Sequence, residues 1–92
     1  MEKLNKSYYM YVLLTADNTL YTGFTDDVAK RFKAHQEFRG AKFTKIKRKH
    51  PLKLIYSEQF ATKEAALSAE WHFKHQTRQQ KVAYLASKEV YI

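Results

Sequence analysis

Residues 8–25 read YYMYVLLTADNTLYTGFT, and this run from Tyr8 to Thr25 decides the fold. Tyr8 to Leu14 is aromatic and aliphatic throughout, the pattern of a strand buried on both faces. Thr19 to Thr25 reads as a second strand, with Ala16-Asp17-Asn18 between the two. Asparagine tolerates the left-handed backbone, so a three-residue hairpin loop with Asn18 in that conformation is expected. Such a loop pairs Thr15 with Thr19, Leu13 with Tyr21 and Tyr11 with Gly23. Side chains alternate faces along a strand, so Tyr9, Tyr11 and Tyr21 then share one face. A two-residue turn would shift the register by one and part Tyr11 from Tyr21. Their shared face therefore rests on the turn type.

Beyond the hairpin, Asp26-Asp27 sits where a helix dipole favours negative charge, and Val28 and Phe32 start an apolar stripe. A helix over about 26–37 follows, with Arg31 and His35 four apart on one side of it. Ala41 to Lys49 holds a short helical turn. Leu52 to Phe60 is a third strand, entered just after Pro51. Thr62 caps a helix over about 63–75, with Glu64 in its first turn. Thr77-Arg78-Gln79-Gln80 has the capping-box spacing and opens a last helix to about Ala86. The order β-β-α-β-α-α predicts an α+β fold around a three-stranded, mainly antiparallel sheet flanked by helices. With two glycines and one proline among 92 residues, no linker is visible, so one domain over 1–92 with its core at about 8–86 is expected.

Composition narrows the function. There is no cysteine, which excludes a disulfide scaffold, a thiol nucleophile and a Cys-based zinc site. No apolar run approaches the roughly 20 residues of a membrane span. The N-terminal MEKLNKSYY has no apolar core followed by a small-residue cleavage site, so a cytoplasmic protein is expected. Seventeen Lys and Arg against nine Asp and Glu give a net charge of +8. On so short a chain that points to a polyanion, nucleic acid first. Phe38 to Ser57 has no acidic residue and carries Arg39, Lys42, Lys45, Lys47, Arg48, Lys49 and Lys53. Of these, Arg39, Lys42, Lys45, Lys47, Arg48 and Lys49, with Phe38 and Phe43 interleaved, suit a phosphate backbone and its bases. Both phenylalanines equally suit a core.

Within the helix 63–75, Glu70 lies among Ala66, Leu67, Ala69, Trp71 and Phe73. A carboxylate near a buried stripe is costly unless it is paired, binds a cation or reaches solvent. It reads either as a boundary residue or as an oxygen ligand for a hard ion such as Mg²⁺. Tyr11 and Tyr21 read as core residues with polar tips or as phenols that hold and activate a water. Arg31 can fork onto a phosphate, and His35 can take up a proton near neutral pH. Together they supply a cation clamp, proton acceptors and a metal carboxylate, the parts that phosphodiester hydrolysis needs. His72 and His75 are three apart, but no further His or Cys completes a zinc set. Phosphate-cradling glycine motifs and the Gly-x-Ser-x-Gly elbow are absent.

These residues resemble the GIY-YIG endonuclease superfamily. Tyr9-Met10-Tyr11 stands at its first triplet, Tyr21-Thr22-Gly23 at its second, and Arg31-Phe32-Lys33-Ala34-His35 resembles its Arg-x3-His helix. Gly40-Ala41-Lys42-Phe43-Thr44 and Ser57-Glu58 are similar to the small stand-alone bacterial group called YhbQ-like. The resemblance runs from about Tyr8 to Leu85. It implies a divalent-metal-dependent endonuclease of low sequence specificity, with single-stranded or branched DNA among its substrates. Nucleic acid is the implied partner, DNA ahead of RNA, with a weak homodimer or an accessory protein besides and no membrane. Tyr11 would activate water with His35 assisting, Tyr21 would position that water or the phosphate, and Arg31 would neutralise phosphate charge. The reverse assignment of the two tyrosines stays open. Glu70 would hold one Mg²⁺ or Mn²⁺. The chain departs from the family pattern twice: Tyr9 replaces a glycine of the first triplet, and no asparagine follows Glu70. A nucleic-acid-binding module without turnover is the rival expectation.

Overall fold

The computed structural model describes residues 6–92. Met1 to Asn5, part of the N-terminal run read above, lie outside the described residues. The element order is β1 (Tyr8–Leu14), β2 (Leu20–Thr25), α1 (Val28–Gln36), 3-10 turns at Phe43–Lys45 and Lys47–Lys49, β3 (Lys53–Phe60), α2 (Lys63–Lys74) and α3 (Arg78–Ser87). It is the β-β-α-β-α-α arrangement expected from the sequence, and all strand pairs are antiparallel, in the order β2-β1-β3.

Asn18 adopts the left-handed conformation, at φ 64°. The register follows from it: Tyr11 faces Gly23, Leu13 faces Tyr21 and Tyr9 faces Thr25. The Thr15 and Thr19 hydroxyls are 2.6 Å apart, the Thr19 amide donates to Thr15 Oγ1 at 2.9 Å, and the Ala16 amide donates to the Lys49 carbonyl at 2.8 Å. The tip of the hairpin is thereby tied to the basic segment.

Central in the sheet, β1 buries Met10, Tyr11, Val12 and Leu13. One face of the sheet packs Met10 and Val12 against Phe73 of α2 and Leu85 of α3. The other packs Tyr11 and Leu13 with Leu52, and with Tyr21, Val28 and Phe32 around them. The helix expected over 26–37 begins two residues later, at Val28, because Asp27 is its cap: the carboxylate accepts from the Lys30 amide at 3.1 Å. Asp26 pairs instead with Lys6 at 3.0 Å. Thr62 caps α2, and Thr77 and Gln80 form the expected capping box on α3.

Glu58 lies on the α2–α3 face, where Tyr56 and Tyr84 donate their phenols to it at 2.6 and 2.5 Å. Burial pushes its carboxyl up, but the two phenol hydrogen bonds outweigh this and hold it below the usual range. It fastens α3 to the sheet.

Candidate active site

Tyr11 is buried, and its phenol runs over Gly23 on the neighbouring strand. A Cβ at Gly23 would overlap that ring, so the second-triplet glycine is required by a close approach rather than by backbone freedom. The only other glycine, Gly40, has the same relation to His35, whose imidazole fills the space a Cβ would take. Neither glycine has a positive φ.

His35 is fully buried, and both ring nitrogens are engaged. Nε2 lies 2.7 Å from the Tyr11 hydroxyl and Nδ1 lies 2.7 Å from Thr44 Oγ1. The Thr44 hydroxyl donates to the Ala41 carbonyl at 3.1 Å. A hydroxyl has one proton, and it is committed there, so Thr44 accepts from His35 Nδ1–H. Nε2 is then the bare nitrogen, and the Tyr11 phenol donates to it. The chain of bonds is directional: it leaves His35 ready to receive a proton from Tyr11. Burial first, then the nearby Arg31 and His50, push the imidazole down to about 4, so it is neutral and accepting at neutral pH.

Tyr21 completes an aromatic cluster, with ring centroids 6.4 Å from Tyr11 and 5.2 Å from His35, and Phe43 stacked on it at 5.7 Å. Burial raises both phenols above their ordinary value. Arg31 counters this at Tyr11, and Lys74 and Arg31 counter it at Tyr21. The Glu70 charge acts on both in the same direction as burial. Thus Tyr11 and Tyr21 from the hairpin meet His35 of α1 in one cluster, with Arg31 one turn before His35 on the same helix and Glu70 on α2. Arg31 is exposed and lines two surface cavities, of about 520 and 280 Å³. Lys30, Lys33 and Arg39 line the first; Lys6 and Lys63 line the second.

Glu70 is largely covered and pairs with Lys74, one turn on, at 3.2 Å. Among the described residues no three His, Asp or Glu side chains cluster as a ligand set. One carboxylate beside solvent suits a hard ion that keeps most of its waters, and does not suit a closed zinc site. His72 and His75 each turn Nδ1 to their own helix, donating to the Ser68 and Trp71 carbonyls at 2.8 and 2.7 Å. Among the described residues they belong to no group of three or more possible ligands.

The basic segment divides. Lys42, Lys45, Lys47 and Arg48 are exposed, and Arg39, also exposed, pairs with Glu37. Lys49 is buried, 2.8 Å from Asp17 and 4.4 Å from the centre of the Phe43 ring. It belongs to the packing of the hairpin tip. Phe43 packs on Tyr21, while Phe38 stacks on His50 at 4.1 Å and is partly exposed. Sequence reasoning named Gly40 and Thr44 only within the stretch that carries the resemblance, with no role of their own, and assigned no part to Lys74. The scarcity of glycine was the available signal for Gly40, and the i,i+4 spacing for Lys74. Nothing in the spacing signalled the bond from Thr44 to His35, nine residues away.

A three-stranded antiparallel sheet with two hairpin tyrosines, an arginine and histidine on one helix and a glutamate on the next defines a class of nuclease-like domain. The chain belongs to the GIY-YIG family, whose catalytic domain matches residues 7–83. Nucleases of this family generally use divalent metal ions, and the domain implies a nucleic-acid substrate. The chain is 58% identical over 81 residues to a UPF0213 protein of Limosilactobacillus reuteri, covering 88% of this chain and 84% of that one. A UPF0213 protein of Streptococcus pyogenes is 51% identical over 85 residues, covering 91% and 90%. Two solution NMR structures are similar. One, from E. faecalis, has a TM-score of 0.64 at 39% identity and covers 97% of this chain and 92% of that one. The other, a UPF0213 protein of Bacillus halodurans, has 0.60 at 34% and covers 89% and 85%. No helix among the described residues is long and apolar enough to cross a membrane.

Proposed function

We propose that the chain is a cytoplasmic, divalent-metal-dependent endonuclease that hydrolyses DNA phosphodiester bonds with low sequence specificity. The observation that carries this reading is the 2.7 Å bond from the Tyr11 phenol to His35 Nε2. In the reaction, Tyr11 Oη takes a proton from the attacking water while its own proton passes to His35 Nε2. Thr44 holds the imidazole in the accepting tautomer. Tyr21 orients the water, and Arg31 forks onto the non-bridging oxygens as charge builds on phosphorus. Burial keeps the Tyr11 phenol protonated in the free protein, and the Arg31 charge works against that burial, so transfer relies on Arg31 and a bound cation. Glu70 would hold a single Mg²⁺ or Mn²⁺, which would supply positive charge to stabilise the leaving group.

The experiment is a cleavage panel: labelled single-stranded, duplex and forked DNA, with Mg²⁺, Mn²⁺ or EDTA. Cleavage in the divalent ions is expected, with Glu70→Ala lowering it by roughly a hundredfold or more, the scale of losing one charge-stabilising group. Cutting that persists in EDTA or in Glu70→Ala would overturn the site. The missing asparagine after Glu70 favours a second reading, binding without turnover. It predicts salt-sensitive binding and no divalent-dependent product on any of the three substrates.

A further inference from the structure

The proposed reaction leaves one surface feature of α2 unused. Trp71, the only tryptophan of the chain, follows Glu70 by 100° around the helix and is 57% exposed. His75 lies flat against one face of the indole, with ring centres 4.0 Å apart and planes 22° apart. The imidazole is itself fixed, because Nδ1–H donates to the Trp71 carbonyl at 2.7 Å. His72 meets the same indole edge-on at 5.2 Å. Two histidines therefore flank the indole, which still stays more than half exposed. By helical periodicity Leu67, which is 40% exposed, and Lys74 fill the arc between Trp71 and Glu70.

We propose that Trp71, backed by His75, is a stacking subsite for an unpaired nucleobase, so that the chain selects single-stranded over duplex DNA. The proposal deepens the nuclease reading and rests on it for the class of polymer. An indole flanked in this way loses little conformational freedom on stacking. Each base has a π-face, so the contact is tolerant of sequence. In a duplex those faces are already covered by neighbouring bases, and only an unpaired base can offer one. The surroundings suit a polyanion: Lys63 and Lys74 lie on the same flank of α2, and the chain carries +8. Two large apolar side chains are too small a patch for a stable protein partner. The strand that places its scissile phosphate at Arg31 and Glu70 would thus lay a neighbouring base on Trp71.

The single tryptophan makes the test direct. Its fluorescence is followed while the full chain is titrated in EDTA with an oligothymidylate, and separately with a blunt duplex of equal length. The single strand is expected to quench Trp71 emission and the duplex to leave it nearly unchanged. Trp71→Ala should weaken single-strand affinity, read by anisotropy of a labelled strand, roughly tenfold, and duplex affinity by less than about twofold. Trp71→Phe, which keeps a stacking face, should recover most of the loss. Quenching by neither polymer, equal quenching by both, or equal loss on both in Trp71→Ala would overturn the subsite. EDTA removes turnover from this readout, so the subsite is judged separately from the nuclease reading, which stands or falls by the Glu70→Ala panel.

Discussion

At the scale of single residues, the site is organised around one buried imidazole. His35 is held by Tyr11 on one nitrogen and Thr44 on the other, and Gly40 leaves the space it occupies. The sequence placed His35 on the same side of a helix as Arg31, and that proximity holds. It gave no depth: Arg31 is exposed and His35 fully buried, because the 43–45 turn folds over the ring and brings Thr44 to it. The neutral imidazole ties stability to pH. Its folded value of about 4 lies below the ordinary 6.5. As pH falls through 6.5 the unfolded chain takes up the proton first, so stability is full above 6.5 and is lost progressively down to about 4. The loss from this group is on the order of 3 kcal/mol. Urea denaturation across that interval should show it in the wild type and in Thr44→Ser. Thr44→Val should begin about 1–3 kcal/mol lower at neutral pH, because it strands the Nδ1–H donor. A pH-independent midpoint for the wild type would contradict a buried neutral His35.

At the scale of elements, the hairpin turn sets which side chains meet. Asn18 at φ 64° fixes a three-residue loop, and from it follow the pairing of Tyr11 with Gly23 and the cluster of Tyr11, Tyr21 and His35. This much was legible, because an asparagine between two apolar runs is a local signal. The neighbour of β1 on its other side was not. β3 pairs with β1 through a shift between Val12 and Leu13, set by contacts some forty residues apart that no spacing reveals. The two-residue delay of α1 likewise comes from Asp27 acting as a cap, a choice made by its hydrogen bond to Lys30. Asn18→Gly should leave stability nearly unchanged, since glycine accepts the left-handed region freely. Asn18→Val should cost about 1–2 kcal/mol in urea denaturation, the penalty of that region for a side chain branched at Cβ. If the turn also sets the register that the site needs, any cleavage should fall further in Asn18→Val than the loss of folded protein explains.

At the scale of the whole molecule, the surplus charge has two jobs that composition cannot separate. The run from Arg39 to Lys53 has no acidic residue of its own, yet it folds back on Asp17 in the hairpin tip. Lys49 is spent there, buried between Asp17 and the Phe43 ring, whereas Lys42, Lys45 and Lys47 face outward and Arg48, though exposed, lies 3.9 Å from Asp17. Counting cations along the chain makes the seven look alike; only the return of the segment onto the hairpin distinguishes them. Binding and folding should therefore part under mutation. Lys45→Gln and Lys47→Gln should leave the denaturation midpoint in place and weaken single-strand binding. Each should also reduce the steepness of log affinity against log salt by about 0.7 for every phosphate left without its cation. Lys49→Gln should do the opposite, lowering the midpoint while the folded fraction keeps its salt slope. A Lys49→Gln protein of unchanged stability and a shallower slope would return Lys49 to the binding surface, and with it the hairpin tip that Asp17 now anchors.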